Sequence, residues 1–389
     1  MPEDHFLSSE ARQAAAFRVA ALACLGAFMT TLDAGLVLVA LPRIALEFRI
    51  PLHQVSWILV VLLLASIALQ LVITHLGDLV NPGRFYLAGV GLFALASALC
   101  SQSSNLEWLL GFRVLEGAGA AAMVALAPKL LSLVYPAESR GLSLGFLQAA
   151  FAGGAVVGVL VGGVIVYYWD WPLIFILNPV VGLLVLIGGA WTLWRRFPVP
   201  AEKSWKKLDW LGSLLLTAGL ILSLVALEGL RHHGAKIATL SYALAGLVAL
   251  GMFFWWENRH PQEPLLPPKL WRLDNIQGFA SAILGSMVYF GAFFLLPFFL
   301  TQQDKFSYYH AGFLLAAVSG SSMLASPMSG YGSDRWGGLW VCRLGSLVLL
   351  GAALFLFLAL KGASTPELLG HFVFLGIGYA LFYTPAFNS

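Results

Sequence analysis

Residues 141–168 read GLSLGFLQAAFAGGAVVGVLVGGVIVYY, a run without a single charged side chain. About 20 apolar residues in a helix are enough to cross the ~30 Å hydrocarbon layer of a bilayer. Lipid offers the backbone no hydrogen-bond partners, so a segment that crosses it must satisfy its own amide groups. This stretch is therefore predicted to be a membrane-spanning α-helix.

Eleven similar stretches occupy most of the remaining chain. Of the 389 residues, 59% are apolar and 11% are charged, against about 45–50% and about 25% in soluble domains. The stretches do not alternate apolar and polar residues over about 10 positions, as outer-membrane strands do. The predicted fold class is an all-α integral membrane protein with twelve spans. They are Val19 to Leu41, Gln54 to Thr74, Phe85 to Leu106, Trp108 to Ala127, Gly141 to Tyr168, Trp171 to Trp194, Trp210 to Leu227, Ile237 to Trp256, Ile276 to Leu300, Ala311 to Gly332, Leu344 to Leu360 and Leu368 to Phe387.

Lysine and arginine residues predict the orientation, because they are enriched in cytoplasmic loops. With the N-terminus in the cytoplasm, most of the 22 basic residues fall on the inner side. The net charge of +3 is thus explained by membrane topology, and no basic patch indicates a nucleic-acid partner. We expect a multi-pass protein of the bacterial cytoplasmic (inner) membrane with its N-terminus in the cytoplasm.

A loop sequence recurs within the chain. Gly77-Asp78, between spans two and three, is echoed by residues 330–337, GYGSDRWG, between spans ten and eleven. Two six-helix halves would repeat the loop after six helices, but here the offset is eight. The sequence therefore predicts a six-helix bundle over residues 1–196, linkers with a two-helix insertion over 197–275, and four helices of an incomplete second bundle over 276–389. A twelve-helix transporter that ends naturally is the alternative.

In their order, these features resemble the fourteen-helix drug:proton antiporter branch of the major facilitator superfamily, over essentially the whole chain. The matching motifs are Leu32-Asp33 with Ala40-Leu41-Pro42, Gly77-Asp78 with Arg84, Arg113 to Gly119, and Gly158 to Gly163. The chain departs from the family at Glu116, where the family has glutamine, and at Val159, where antiporters have proline. It also lacks the basic residues of the first loop between Leu79 and Gly83.

The resemblance implies a major facilitator fold and proton-coupled export of amphipathic or cationic drugs by alternating access. It also implies that residues of the two loops gate the protein: Gly77, Asp78, Arg84, Gly330, Asp334, Arg335 and Gly337. For the charged loop residues, ordinary capping of cytoplasmic helix ends is the alternative. Two alternative functions stay open. Val159 favours a metabolite symporter or uniporter, and the degenerate first loop permits a non-transporting membrane receptor or scaffold.

Three ionisable residues inside the spans are the candidates for proton coupling: Asp33, Arg113 and Glu116. A charge at the centre of an inserting helix costs roughly 2.5–3.5 kcal/mol, so Asp33 should face water, meet a cation or carry a proton. Burial favours a neutral carboxyl and a nearby cation favours the charged form, which together allow proton loading and release. We predict Asp33 as the principal coupling carboxylate, with a structural hydrogen-bonding role as the alternative.

Arg113 and Glu116 are three residues apart and share a helix face. They either pair only with each other or, as the resemblance implies, Arg113 alternates between Asp33 and Glu116.

Two further patterns are candidates for packing or binding. Gly154, Gly158 and Gly162 recur every four residues and, with Gly163, predict a surface where another helix approaches closely. Phe290, Phe293 and Phe294 form an aromatic stripe on span nine that either packs and faces lipid or lines a substrate cavity through stacking and cation–π attraction.

No nucleotide-binding loop, nucleophile elbow or metal-binding helix motif occurs in the sequence. We therefore expect no enzymatic activity, no cofactor and no metal, and transport that draws its energy from a gradient. The expected partners are a small amphipathic or cationic substrate, protons and the lipid bilayer. The sequence identifies no periplasmic adaptor.

Overall fold

A computed structural model describes residues 9–194, 197, 209–233, 236–259, 283–289, 291, 308–359 and 365–386. Within these ranges the regular structure is helical and contains no strand. The predicted all-α class is therefore confirmed.

Every predicted span overlaps a helix. The helices are α1 (Ser9–Phe48), α2 (Leu52–Val55), α3 (Trp57–Leu79), α4 (Pro82–Cys100), α5 (Leu106–Val134), α6 (Arg140–Tyr168), α7 (Pro172–Thr192), α8 (Trp210–His233), α9 (Ile237–Arg259), α10 (residues 283–289), α11 (Tyr308–Trp336), α12 (Gly338–Ala359) and α13 (Thr365–Ala386), with a 3₁₀ turn at Ala137–Ser139.

Nine helices in the described part of the chain are long and apolar enough to cross a membrane. In α3 the apolar run is shorter, Trp57–Gln70, and α11 carries six serines.

Several helix ends follow from local sequence. Asn81 precedes Pro82 at the first position of α4, and its side-chain oxygen accepts a hydrogen bond from the Arg84 amide at 2.9 Å. An asparagine cap followed by proline is a typical helix start, because the cap satisfies a free amide and proline needs none. Asn105 caps α5 in the same way, through the Trp108 amide at 3.0 Å.

The helices form two compact groups. Of the described residues, the first group contains 40–126, 169–194, 197, 209–233 and 236–259, and the second contains 9–39, 127–168, 283–289, 291, 308–359 and 365–386. The helices α1 and α5 each contribute to both groups. The division into residues 1–196, 197–275 and 276–389 stays a prediction.

In the first group, α3, α4, α5 and α7 pack through small residues. A side chain at Gly117 of α5 would collide with the backbone of Leu62 on α3, and one at Gly119 would collide with Phe93 on α4. The helices α8 and α9 pack against each other, and Thr217 of α8 donates a hydrogen bond to the Ala68 carbonyl of α3 at 3.0 Å. The helix α8 thus packs on α3 as well as on its partner.

The end of α1 and the start of α7 are joined within this first group. Arg43 and Asp170 form an exposed ion pair at 3.3 Å, and the Trp171 indole nitrogen donates to the Glu47 carboxylate at 2.6 Å. Trp171 itself is buried and packs edge-on against Phe48. These contacts hold the first turn of α7 in place.

In the second group, α6 packs along α11, and α13 packs against both α11 and α12. An apolar cluster fills the space between α10, α11, α12 and α13. Its buried members are Tyr289, Leu314, Val318, Leu349, Ala352, Leu368, Phe372 and Leu375.

Candidate functional site

Arg113 and Glu116 form an ion pair that is completely buried. The guanidinium Nη1 lies 2.8 Å from the carboxylate Oε2, and both side chains have 0% exposure. The guanidinium also lies over the Phe175 ring of α7, 5.2 Å from its centroid. Arginine keeps its proton in proteins, so Glu116 is the member of this pair that can take up and release one.

The ion pair has a polar contact on α4, and a hydrogen-bonded group of α4 and α7 lies one helical turn away. The Cys100 thiol of α4 lies 3.6 Å from the same Glu116 oxygen that Arg113 contacts. One turn earlier, Ser97 donates to the Phe175 carbonyl at 3.0 Å and accepts from the Asn178 amide at 2.9 Å. We call Ser97, Cys100, Arg113, Glu116, Phe175 and Asn178 the ion-pair cluster.

The sequence prediction found the two charged members of this cluster and missed the neutral ones on α4. The available signal is the spacing of Ser97 and Cys100, which lie three residues apart on one face of an apolar helix. A buried ion pair has a high desolvation cost that extra hydrogen bonds must offset. Polar residues on an adjacent span were therefore to be expected, although the sequence alone does not show which span is adjacent.

Asp33 is buried at 1% exposure in the membrane-spanning part of α1. It follows Leu32, whose carbonyl oxygen is in close contact with Gly158 of α6. Leu32 therefore lies at the packed α1–α6 contact. The contact of Asp33 with Arg113 stays a prediction.

The glycines of α6 bring its backbone against α1. A side chain at Gly154 or Gly158 would overlap the carbonyl oxygens of Phe28 and Leu32, and one at Gly162 would lie 3.0 Å from the Leu36 Cα. Gly163 differs, because a side chain there would meet nothing within 4 Å. Three of the four residues of the proposed packing motif thus face α1.

The second loop caps α6. The two Asp334 carboxylate oxygens each accept a backbone hydrogen bond, from Gly141 and from Leu142, both at 2.8 Å. These amides belong to the first turn of α6, where a helix has free donors and a partial positive charge. A side chain at Gly330 would overlap the Gly141 backbone, so α11 and α6 are in close contact beside this cap.

The remaining residues of the second loop lie around the cap. The exposed Arg335 donates to the Tyr331 hydroxyl at 3.1 Å. Gly337 has φ of +90°, a left-handed conformation that favours glycine, and it separates α11 from α12. A depression of about 290 Å³ beside the cap is lined by Glu138, Ser139, Leu142, Tyr331, Asp334 and Arg335.

The first loop makes different contacts. Arg84 donates to the Trp194 carbonyl at 2.9 Å and lies over the Trp194 ring at 5.2 Å. The Asn81 side-chain amide donates to the Phe197 carbonyl, while Gly77 is buried. The Asp78 side chain and the residues Phe290, Phe293 and Phe294 lie outside the described parts of the structure.

Within the described residues, no group of three His, Cys, Asp or Glu side chains is placed to hold a metal ion. None of the three cysteines, Cys24, Cys100 and Cys342, forms a disulfide bond.

Curated relatives of this chain are transporters and export proteins. It is 31% identical over 314 residues to the riboflavin transporter RibZ of Clostridioides difficile strain 630, across 81% of this chain and 67% of that protein. It is 28% identical to the tetracenomycin C resistance and export protein of Streptomyces glaucescens, across 91% of this chain and 66% of that protein. It is 30% identical to the putative multidrug resistance protein MdtD of Cronobacter sakazakii, across 77% of this chain and 62% of that protein. The chain thus spans about two thirds of the length of these relatives.

Solved structures with the same fold include the proton:xylose symporter XylE, with a TM-score of 0.65 and 13% identity over 97% of this chain and 82% of that one. The human organic anion transporter MFSD10 has a TM-score of 0.65 and 14% identity over 96% of this chain and 85% of that one. At these identities the likeness establishes the fold alone, which confirms the expected major facilitator fold. The sequence profile of the Major Facilitator Superfamily matches residues 23–389, and the chain belongs to that family.

Proposed function

We propose that this protein is a secondary active transporter that exports amphipathic or cationic organic compounds in exchange for protons. The observation that carries the proposal is the fully buried ion pair of Arg113 and Glu116 inside a membrane-spanning helix. Ionisable residues within spans are costly, and they commonly mark ion pathways and proton relays. The buried Asp33 on α1 supplies a second carboxyl for the same task.

Proton uptake by Glu116 would weaken the ion pair. The protonated carboxyl no longer neutralises Arg113, and an uncompensated buried cation is strongly destabilising. The guanidinium must then find another anion or a hydrated position, and we propose Asp33 as that anion. Because the two arrangements differ in where the positive charge sits, proton binding would favour one conformation over the other.

The cap of Asp334 on α6 is proposed as the latch that holds one conformation. Asp334 accepts its two hydrogen bonds where Gly330 and Gly141 are in close contact. A small separation of α11 from α6 would therefore break both hydrogen bonds together. Loss of a buried or partly buried cap of this kind costs about 0.5–2 kcal/mol. That cost is small enough for substrate or proton binding to supply it.

The names of the relatives support export of organic compounds, since two of the three carry resistance or export functions in their names. The proposal places the protein in the bacterial cytoplasmic membrane with its N-terminus inside. Its partners in this proposal are the small substrate, protons and lipid.

A second candidate is a symporter or uniporter for a small metabolite. Val159 stands where the antiporters that this chain resembles have proline, and one relative is a riboflavin transporter. This candidate differs from the first in the direction of proton movement.

The test uses the full-length protein in proteoliposomes that contain a pH-sensitive dye and no imposed pH gradient. Ethidium added outside will move inward in exchange for protons, so the internal pH is expected to rise. Symport would lower the internal pH, and uniport would leave it unchanged. A fall or an unchanged value, despite ethidium uptake, contradicts the antiport proposal.

Two variants locate the coupling. Glu116→Gln and Asp33→Asn each remove a titratable carboxyl while keeping its shape, so each is expected to lose the ethidium-driven pH change. Glu107→Gln, in the first turn of α5, is the matched control and should behave as the wild type. If both variants retain the full pH change, the coupling residues lie elsewhere.

A further inference from the structure

Three tyrosines with nearly parallel rings form a stack between α10 and α13. The ring centroids of Tyr289 and Tyr379 are 3.7 Å apart with planes inclined by 15°. The centroids of Tyr379 and Tyr383 are 5.0 Å apart with planes inclined by 17°. We call these three residues the tyrosine stack. Neither the ion-pair cluster nor the two loops use it.

Glycines direct the stack toward α10. A side chain at Gly376 would overlap Val318 of α11, and one at Gly378 would lie 2.7 Å from the Leu349 amide of α12. Backbone of α11 and α12 thus fills those sides of α13. Tyr379 and Tyr383, four residues apart on α13, project on one face one above the other, and Tyr289 of α10 meets them there.

Hydrogen bonds hold the rings in position. The Tyr289 hydroxyl is hydrogen-bonded to Ser319 of α11. The Tyr379 hydroxyl is hydrogen-bonded to Ser286 of α10 and to the Tyr383 hydroxyl. Fixed rings lose little conformational freedom when a ligand binds, and such preorganisation favours affinity.

The tyrosine stack borders the apolar cluster, of which Tyr289 is a buried member. Tyr379 and Tyr383 are half-buried. Part of the ring surface of Tyr379 and Tyr383 is therefore accessible beside the cluster.

The contact between Tyr289 and Tyr379 resembles a sandwich, with nearly coincident ring centres. Aromatic rings prefer offset or edge-on contacts with centroids 4.5–7 Å apart, because their faces carry like partial charge. A planar guest that stacks on the accessible face of Tyr383 would therefore extend the stack without breaking an optimal ring pair. From these observations we infer that the tyrosine stack binds the substrate, and that the substrate is a planar aromatic compound.

This inference rests on the proposed transport function and adds a substrate class to it. Amphipathic and cationic compounds include flat and non-flat molecules, and a stack of parallel rings discriminates between them. Ethidium and tetraphenylphosphonium both carry one positive charge, but only the first has a fused planar ring system. A comparison of the two probes therefore isolates planarity from charge.

The experiment measures equilibrium binding of both probes to the purified full-length protein in detergent, without a pH gradient. Tyr383→Leu removes one ring face and is expected to weaken ethidium binding about five-fold, with tetraphenylphosphonium binding changed less than two-fold. Tyr383→Phe keeps the ring and should stay within two-fold for both probes. Phe374→Leu alters an exposed ring on the same helix and is the matched control, with no expected effect.

Tyr383→Trp offers a larger ring and provides a gain-of-affinity test that does not depend on the stability of the leucine variant. It should tighten ethidium binding and leave tetraphenylphosphonium binding unchanged. Equal losses for both probes, unchanged ethidium binding in both Tyr383→Leu and Tyr383→Trp, or a wild-type protein that binds neither probe would overturn the inference. Binding is measured without proton movement. The binding result therefore stands even if the proteoliposome experiment shows no proton exchange.

Discussion

The two copies of the loop sequence, one at the end of α3 and one at the end of α11, differ in the contacts of their described side chains. The second copy keeps its aspartate, Asp334, and uses it on two backbone amides at the start of α6. The first copy has lost the basic residues that its resemblance predicts, and its Arg84 binds a carbonyl and a ring at the end of α7. Among the described side chains, one copy therefore places an anion at a helix start, and the other a cation at a helix end.

Both arrangements follow the same electrostatic rule, because a helix carries partial positive charge at its first turn and partial negative charge at its last. They differ in strength. Asp334 satisfies two amides at once, whereas the exposed Arg84 makes one hydrogen bond and a ring contact. A shared motif thus predicts where a loop lies. The contacts of each copy determine how much that loop contributes to the stability of the protein. Four substitutions test this difference.

The largest effect is expected from Gly330→Ala on α11. The new methyl group would overlap the Gly141 backbone, and overpacking of this kind costs typically 1–3 kcal/mol. The free energy of unfolding, measured by SDS titration in mixed micelles, should fall accordingly. Gly320→Ala on the same helix is the control, since a side chain there meets nothing within 4 Å; it should be neutral or stabilising by up to about 1 kcal/mol. Equal effects of the two variants would contradict the close approach.

The next effect concerns the charge of the cap. Asp334→Ala removes both hydrogen bonds to the backbone amides and should lower the free energy of unfolding by about 1–2 kcal/mol. Asp334→Asn keeps one acceptor oxygen and should lose about half as much. If the cap also stabilises one transport conformation, both variants should change the rate of ethidium transport. Asp334→Ala should then change this rate more than Asp334→Asn. If Asp334→Ala is as stable as the wild type, the second loop contributes no more to the free energy of unfolding than the first.

In the first loop, Asn81 is the residue whose loss should matter most. Asn81→Ala removes the cap of α4 and the contact with Phe197, at a cost of about 1 kcal/mol. Since asparagine is uncharged, raising the salt concentration should leave this loss unchanged, whereas salt should reduce the loss caused by Asp334→Ala. The same salt dependence in both variants would argue against the difference between the loops.

The smallest effect is expected from Arg84→Gln. An exposed cation–π contact is worth about 0.5–1 kcal/mol, and glutamine can still donate to the Trp194 carbonyl. The free energy of unfolding should therefore fall by roughly 0.5 kcal/mol. Arg84→Lys should lie between the wild type and Arg84→Gln. A loss larger than that of Asn81→Ala would reverse the order proposed for this loop.

The spans were predictable because lipid allows few alternatives. A 28-residue stretch without charge, such as 141–168, cannot leave its backbone unpaired in hydrocarbon, so its helix follows from composition. Arg113 and Glu116 were predictable for the complementary reason, since charges within spans stand out against their surroundings.

The neighbours of these charges were not predictable. Cys100 belongs to α4, and its contact with Glu116 depends on how α4 and α5 are rotated about their axes. Rotation is set by small residues such as Gly119, whose packing against Phe93 is a property of two helices together. The tyrosine stack has the same origin, because Gly376 and Gly378 fix the face of α13 that Tyr379 occupies.

The buried ion pair has an electrical consequence. While Glu116 is charged, the pair is neutral and the membrane potential exerts no net force on it. Once Glu116 binds a proton, the pair carries a net positive charge within the dielectric until Arg113 reaches the Asp33 carboxylate proposed above. A charge that crosses the membrane gains or loses about 2.3 kcal/mol per 100 mV. Movements of the proton-loaded protein would therefore respond to voltage as well as to pH, and the resting potential of the cell would draw this charge toward the cytoplasm.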